Sequence, residues 1–190
     1  MPSRSRPKYI IPLGIGAAVL WPALAWGEPQ ASFGVTGGAA LRGVAGPGPS
    51  SGVAFLGGRG DVLFGASGPA QMAEGPYVDV STEGFANVNA GAGAEWALPV
   101  TVDFPLVLGG GGFVRTGNGP ASPGLAGSLF FGPRSYNFHS WYGLAAGLFA
   151  QTLWTPGTSA LDVVVGVQVD AELLVLPFLL AYDGIVAIGR

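Results

Sequence analysis

The chain has 190 residues, enough for one domain, and only 10% of them are charged while 49% are hydrophobic, with a formal net charge of −3. Ordinary soluble domains carry roughly 25% charged residues, so this composition leaves too little charge to cover a surface that faces water. The 34 glycines and 16 prolines exclude an all-helical fold, since they disfavour helix interiors by about 1 and about 3 kcal/mol each relative to alanine, and 11% aromatic residues at low net charge exclude disorder.

The segment from Met1 to Lys8 holds Arg4, Arg6 and Lys8 and no acid, and the stretch from Tyr9 to Leu20 is almost wholly apolar. Pro22 then breaks the run, and Ala23-Leu24-Ala25 supplies the small residues that a signal peptidase accepts. This pattern predicts a cleaved export signal over 1–27, cut after Ala25 or Gly27, with a barrel domain over 28–190. The competing reading of the same run is an uncleaved anchor, because its length approaches that of a spanning helix. Cleavage removes Lys8, the only lysine, and leaves Arg42, Arg59, Arg115, Arg134 and Arg190 against all 11 acids. An acidic chain of this kind is no partner for nucleic acid, which requires a basic face to release phosphate counterions.

Beyond the signal the chain alternates between apolar and polar residues, the period of a β-strand with two unlike faces. Residues 31–44 set Phe33, Val35, Ala39 and Leu41 opposite Ser32, Thr36 and Arg42. Residues 53–66 set Leu56, Val62 and Phe64 opposite Arg59 and Asp61, and the spacing of those two predicts an ion pair within one strand face. Arg59-Gly60-Asp61 also spells an adhesion tripeptide, a match that three residues produce readily by chance. Loops are predicted at 46–52, 68–76, 117–124 and 155–158, where Gly, Pro, Asn and Ser cluster.

From 78 to 98 the even positions Val78, Val80, Ala86, Val88, Ala90, Ala92, Ala94, Trp96 and Leu98 are apolar, and the odd positions include Asp79, Ser81, Glu83, Asn87, Asn89 and Glu95. Phe85 is the exception. The run exceeds the 9–11 residues or so of a spanning strand, so a bend or break is expected near Glu83-Gly84, with 86–98 the firm part. Residues 104–115 and 124–136 are strand-like. Gly109 to Gly112 lacks the following Lys and Ser/Thr of a phosphate loop and reads as backbone crowding. In 142–154 the even face runs from Tyr142 to Trp154, a length that spans about 30 Å when tilted by roughly 40°. From Leu161 to Leu176 every odd position is apolar, whereas Asp162, Gln168, Asp170 and Glu172 share the even face. The tail 177–188 is the last of eight candidate strands.

The signal, the alternation, the aromatics at strand ends and the abundant glycine together resemble the small outer-membrane β-barrel proteins of Gram-negative bacteria. The resemblance covers roughly 28–190 and is architectural. It implies an antiparallel up-and-down transmembrane barrel of about eight strands, located in the bacterial outer membrane and in contact with lipid or lipopolysaccharide. Barrels of that group usually finish on an aromatic residue, whereas this chain finishes Ala187-Ile188-Gly189-Arg190. Two strand ends echo each other, Glu95-Trp96-Ala97-Leu98-Pro99 and Glu172 through Leu176-Pro177. If both are short turns on the periplasmic side, segments three and seven descend, and an eight-strand chain then starts and finishes on the wrong side of the membrane.

The lumen is expected to hold Arg59, Asp61, Glu95, Arg115, Arg134, Asp162, Asp170 and Glu172, with Asp162, Asp170 and Glu172 pairing to Arg115 or Arg134 from neighbouring strands. Those acids lie along one strand face and do not converge as a calcium loop requires. Interface aromatics are expected at Tyr136, Trp141, Tyr142 and Trp154. His139 is the only histidine and there is no cysteine, so no multi-ligand metal site, disulfide or cofactor is expected. His139 beside Ser135 and Ser140, with Asp162 as a remote orienting acid, is the one weak candidate for catalysis. Three readings follow: a non-enzymatic barrel with a structural, adhesive or envelope-interaction role, an outer-membrane lipid-modifying enzyme using the His139 region, and a soluble β-sandwich or lipocalin-like binder. Eight strands enclose no wide channel.

Overall fold

A computed structural model describes residues 29–45, 48–65, 71–101, 103–117, 119–134 and 145–171. They form a closed antiparallel barrel of eight strands, each hydrogen-bonded to the next, with the last closing on the first. The strands are β1 (Gln30–Ala45), β2 (Ser51–Leu63), β3 (Ala73–Glu83), β4 (Asn87–Pro99), β5 (Pro105–Thr116), β6 (Ser122–Phe131), β7 (Ala146–Thr155) and β8 (Ala160–Asp170). Closure runs from Gly34 opposite Asp170 to Leu41 opposite Val163, with a register irregularity before Ala45 meets Leu161. A closed ladder leaves no unpaired edge, so the barrel is held by main-chain hydrogen bonds around its whole girth.

Alternation decides which side chains face inward. In β8 the even residues Asp162, Val164, Gln168 and Asp170 are buried and the odd residues Val165 and Val167 are exposed. In β4 Asn89, Glu95 and Ala97 are buried and Val88 and Trp96 are exposed. The same sidedness holds around the barrel. Val78, Val80, Leu108, Leu129 and Leu148 stand on the outer surface, with Val78 63% and Leu148 65% exposed.

Three outcomes bear on the strand assignment, the first being that the break expected near Glu83-Gly84 is found. Residues 78–98 form two strands, split by a turn at Gly84, Phe85 and Ala86 in which Gly84 and Phe85 take positive φ values of 61° and 57°. The turn explains why Phe85 broke the alternation. It also shifts the strand count, so the strand ending at Leu98-Pro99 is fourth and the strand preceding Leu176-Pro177 is eighth. Both run in the same direction, and both ends of the barrel chain lie on one side. Second, β3 begins at Ala73, inside the stretch expected to be a loop to Pro76. Gly75 is there for close approach to β2, since a Cβ on it would sit 1.9 Å from the Val62 carbonyl oxygen. Third, the stripe from Leu161 stops as a strand at Asp170, and the barrel is complete without the tail. Residues 172–190 lie outside the described residues, as do 1–28, and with them the signal segment and the last candidate strand.

The two ends differ. The four connections opposite the chain ends, here the turn end, span three to five residues, whereas those at the terminal end span five to fourteen. Gly109 to Gly112 lies in β5 with alternate residues facing in and out. A Cβ on Gly111 would meet the Ala92 carbonyl oxygen at 2.3 Å and the Tyr77 hydroxyl at 2.8 Å, while one on Gly110 meets nothing within 4 Å. Gly111→Val is therefore expected to lower the thermal unfolding midpoint of the refolded protein, followed by circular dichroism, and Gly110→Val to leave it unchanged. Equal effects from the two substitutions would contradict the inward and outward assignment.

Candidate functional site: an ion-paired lumen and a polar mouth

A narrow barrel has an interior only as wide as the side chains that fill it. Because the alternation sends the polar face inward, that interior is lined with charge, and a buried charge is tolerated only when paired. Arg42, Arg59, Arg115 and Arg134 all point into the lumen, where Asp61, Asp79, Glu83, Glu95, Asp162 and Asp170 meet them.

The pairs stack in levels. At the terminal end Arg134, which follows β6, contacts Asp61 of β2, donates to Ser32 Oγ at 2.6 Å and lies 3.7 Å from Asp170 of β8. Farther in, Arg59 Nη2 meets Glu95 Oε2 at 2.6 Å, Nη1 donates to Ser128 Oγ at 2.7 Å, and the guanidinium lies 3.6 Å over the Tyr77 ring. Cation–π contact of this kind adds attraction without a second counter-ion. Gln151 Nε2 donates to Asp79 at 3.1 Å, and Phe55 stacks on Phe149 with ring centres 6.5 Å apart. At the turn end Arg115 joins Glu83 at 2.8 Å and Asp162 at 2.6 Å and donates to Asn89 at 2.8 Å. Arg42 adds a 3.4 Å pair to Glu83, and the Gly43 N–H donates to Asp162 Oδ1 at 2.7 Å.

Asp162 thus sits with Arg115 and Asp170 with Arg134, across strands. Arg59 and Asp61 share an inward face but do not pair as expected; their ion pairs cross the lumen, Arg59 to Glu95 and Asp61 to Arg134. Successive inward residues on one strand stand about 6.6 Å apart, and a long arginine reaches an opposite wall more readily than it folds back along its own. Arg42, Asp79 and Glu83 were not among the expected lumen residues, although the parity of their strands places them there. Trp154 stands on the outer surface near the turn end, and Trp96 stands on it near the terminal end, donating its indole N–H to Glu74 Oε2 at 3.2 Å. Trp96 was missed as an interface aromatic, though it shares the apolar face of its strand. Tyr136, His139, Trp141, Tyr142 and Glu172 lie outside the described residues. Among the described residues no three His, Cys, Asp or Glu side chains gather into a group able to hold a metal ion.

Beyond Arg42 and Arg115 the turn end opens into a cavity of about 610 Å³ lined by polar side chains and turn backbone. A separate small cavity of about 10 Å³ lies beside Phe55, Phe149 and Gln151, room for one water at most.

Removing one partner of a buried pair strands the other charge, at a cost of about 3–5 kcal/mol, whereas replacing both by apolar groups is often neutral. Arg59→Met and Glu95→Met are each expected to lower unfolding stability by about that amount, and the double variant by less than either. Equilibrium unfolding of the refolded protein in denaturant measures all three. Additive losses in the double variant would contradict the pairing.

No family model matches the chain, and no curated protein matches it. Among the solved structures to which the chain shows some likeness are two membrane proteins. One is from the de novo design of transmembrane β-barrels, with a TM-score of 0.41 and 11% identity over 76% of this chain and 96% of that one. The other is Ail, the attachment invasion locus protein of Yersinia pestis, solved with the heparin analogue sucrose octasulfate, with a TM-score of 0.43 and 9% identity over 75% of this chain and 99% of that one. Both are eight-stranded membrane barrels. At such identities and scores no property of either protein transfers to this one.

Proposed function

We propose that the protein is a non-conducting barrel of the bacterial outer membrane, exported by a signal over 1–27, and that it acts through its two ends in a structural or envelope-interaction role, with no catalysis. The observation that carries the reading is sidedness. Among the described outward-facing strand residues Glu74 is the only charged one, and it lies at the terminal end against Trp96. Fully burying a Val or Leu side chain is worth about 1.5–3 kcal/mol, so a belt of exposed aliphatics around the whole barrel is stable against hydrocarbon and not against water. A soluble lipocalin-like binder needs the opposite arrangement, apolar inside and polar outside. The indoles of Trp96 and Trp154, near opposite ends, suit the two lipid–water boundaries, where contact with lipid and lipopolysaccharide headgroups falls.

Absence of conduction follows from the lumen. Guanidinium–carboxylate pairs and the Phe55–Phe149 stack cross it, which supports a lumen closed to ions.

Expression of the full chain in a Gram-negative host, followed by fractionation, tests the placement. The protein is expected in the outer-membrane fraction, migrating differently on SDS gels before and after boiling, with its N-terminus beginning after Ala25 or Gly27. In planar bilayers the purified protein is expected to give no steady conductance. A soluble periplasmic product with no mobility shift would overturn the membrane reading, and a stable open current would overturn the closed lumen.

A further inference from the structure

The cavity at the turn end is not explained by the packing of the barrel. Its volume of about 610 Å³ falls in the range of small-molecule sites, roughly 300–1,000 Å³. The connections around it are short, three to five residues each.

Its charge is unevenly presented. Arg42 and Arg115 are balanced on paper by Glu83 and Asp162, but the Arg42 side chain is 35% exposed and the Glu83 side chain 0%. Arg115 is 14% exposed and Asp162 3%. The acids lie beneath the guanidinium groups and are consumed by them, by Asn89 and by the Gly43 N–H, so a molecule entering the mouth meets the cations first. Arg42 places Nε 3.4 Å from Glu83, and turning the Asn87 amide lets its oxygen accept from Arg42 Nη2 at 2.7 Å. The Arg42 side chain is also part of the cavity lining. Thr155, which also lines the cavity, is only 3% exposed and its hydroxyl has no hydrogen-bond partner. A buried hydroxyl left unsatisfied costs free energy that a ligand recovers by bonding to it.

We infer that the turn-end mouth is a binding site for a small hydroxylated anion, a sugar phosphate or sugar carboxylate. Its charged group docks against the exposed guanidinium of Arg42, a charge-assisted contact that suits planar or tetrahedral oxyanions. The sugar hydroxyls meet Thr155, Thr158 and the exposed turn backbone. This site is independent of the membrane reading, since it needs only the barrel and its turns.

The test is a nuclear magnetic resonance titration of the folded full-length protein in detergent micelles with glucose 6-phosphate, glucuronate, inorganic phosphate and uncharged glucose. The amide signals of Gly43, Asn87, Thr155 and Thr158 are expected to shift saturably with glucose 6-phosphate or glucuronate. Loss of a charge-assisted hydrogen bond weakens binding by about tenfold or more, so glucose is expected to bind at least that much more weakly. Arg42→Gln is expected to abolish the preference for the charged sugars, and Thr155→Val to weaken them while leaving the fold intact, as reported by unchanged signals from β1 to β8 away from the mouth. Inorganic phosphate matching glucose 6-phosphate would show that the oxyanion supplies the recognition, and weaker phosphate that the hydroxyls contribute; both support the site. Unsaturable shifts, or an Arg42→Gln response equal to that of the unaltered protein, would overturn it.

Discussion

In a closed barrel of eight strands every side chain has two destinations, a lumen narrow enough for opposite walls to touch or an outer surface with nothing beyond it. The pairing of the buried charges depends on that constraint, and so does the character of the outer surface. Once alternation sends Arg59, Glu95, Arg115 and Asp162 inward, the lumen becomes a stack of ion pairs, and once it sends Val78, Leu148, Val165 and Trp96 outward, the exterior becomes an apolar belt. Neither half is stable alone. The charges need the closed wall to hold partners at bonding distance, and the wall needs a filled interior, since glycines such as Gly111 bring neighbouring backbones and the Tyr77 ring into close contact.

Much of this was legible in the sequence because strand parity needs no knowledge of partners. The aliphatic stripe of 161–169 and the even face of 88–98 named their exposed sides directly. The hairpin between β3 and β4 was harder for a specific reason. Its turn has an odd number of residues, so Glu83 and Asn87 oppose each other and keep the same parity on both sides. Periodicity runs through such a turn undisturbed, and only the excess length and the misfit of Phe85 betray it. Gly75-Pro76 misled in the opposite direction, since its glycine serves a tight approach between strands and not a turn.

The pairing of charges was only half legible. A sequence states which face a residue occupies but not which side of the barrel that face lies on. Arg59 and Asp61 are neighbours in sequence and share a face, yet each finds its counter-ion across the lumen. Glu83 collects both Arg42 and Arg115 because curvature brings three strands together at the turn end, which no spacing along the chain announces. The same convergence builds the polar mouth from β1, β2, β4, β5, β6, β7, β8 and their turns.

The sidedness of the wall is the claim on which the account stands, and the absence of cysteine makes it directly measurable. Single cysteines placed in turn at Val163, Val164, Val165, Val167 and Gln168 carry a nitroxide label onto both faces of β8 in the protein reconstituted in lipid. Labels at 163, 165 and 167 are expected to collide readily with oxygen dissolved in the bilayer and poorly with a water-soluble nickel complex, while 164 and 168 are shielded from both. Strong collision of the odd positions with the nickel complex would mean that this face meets water, and the membrane barrel would be wrong.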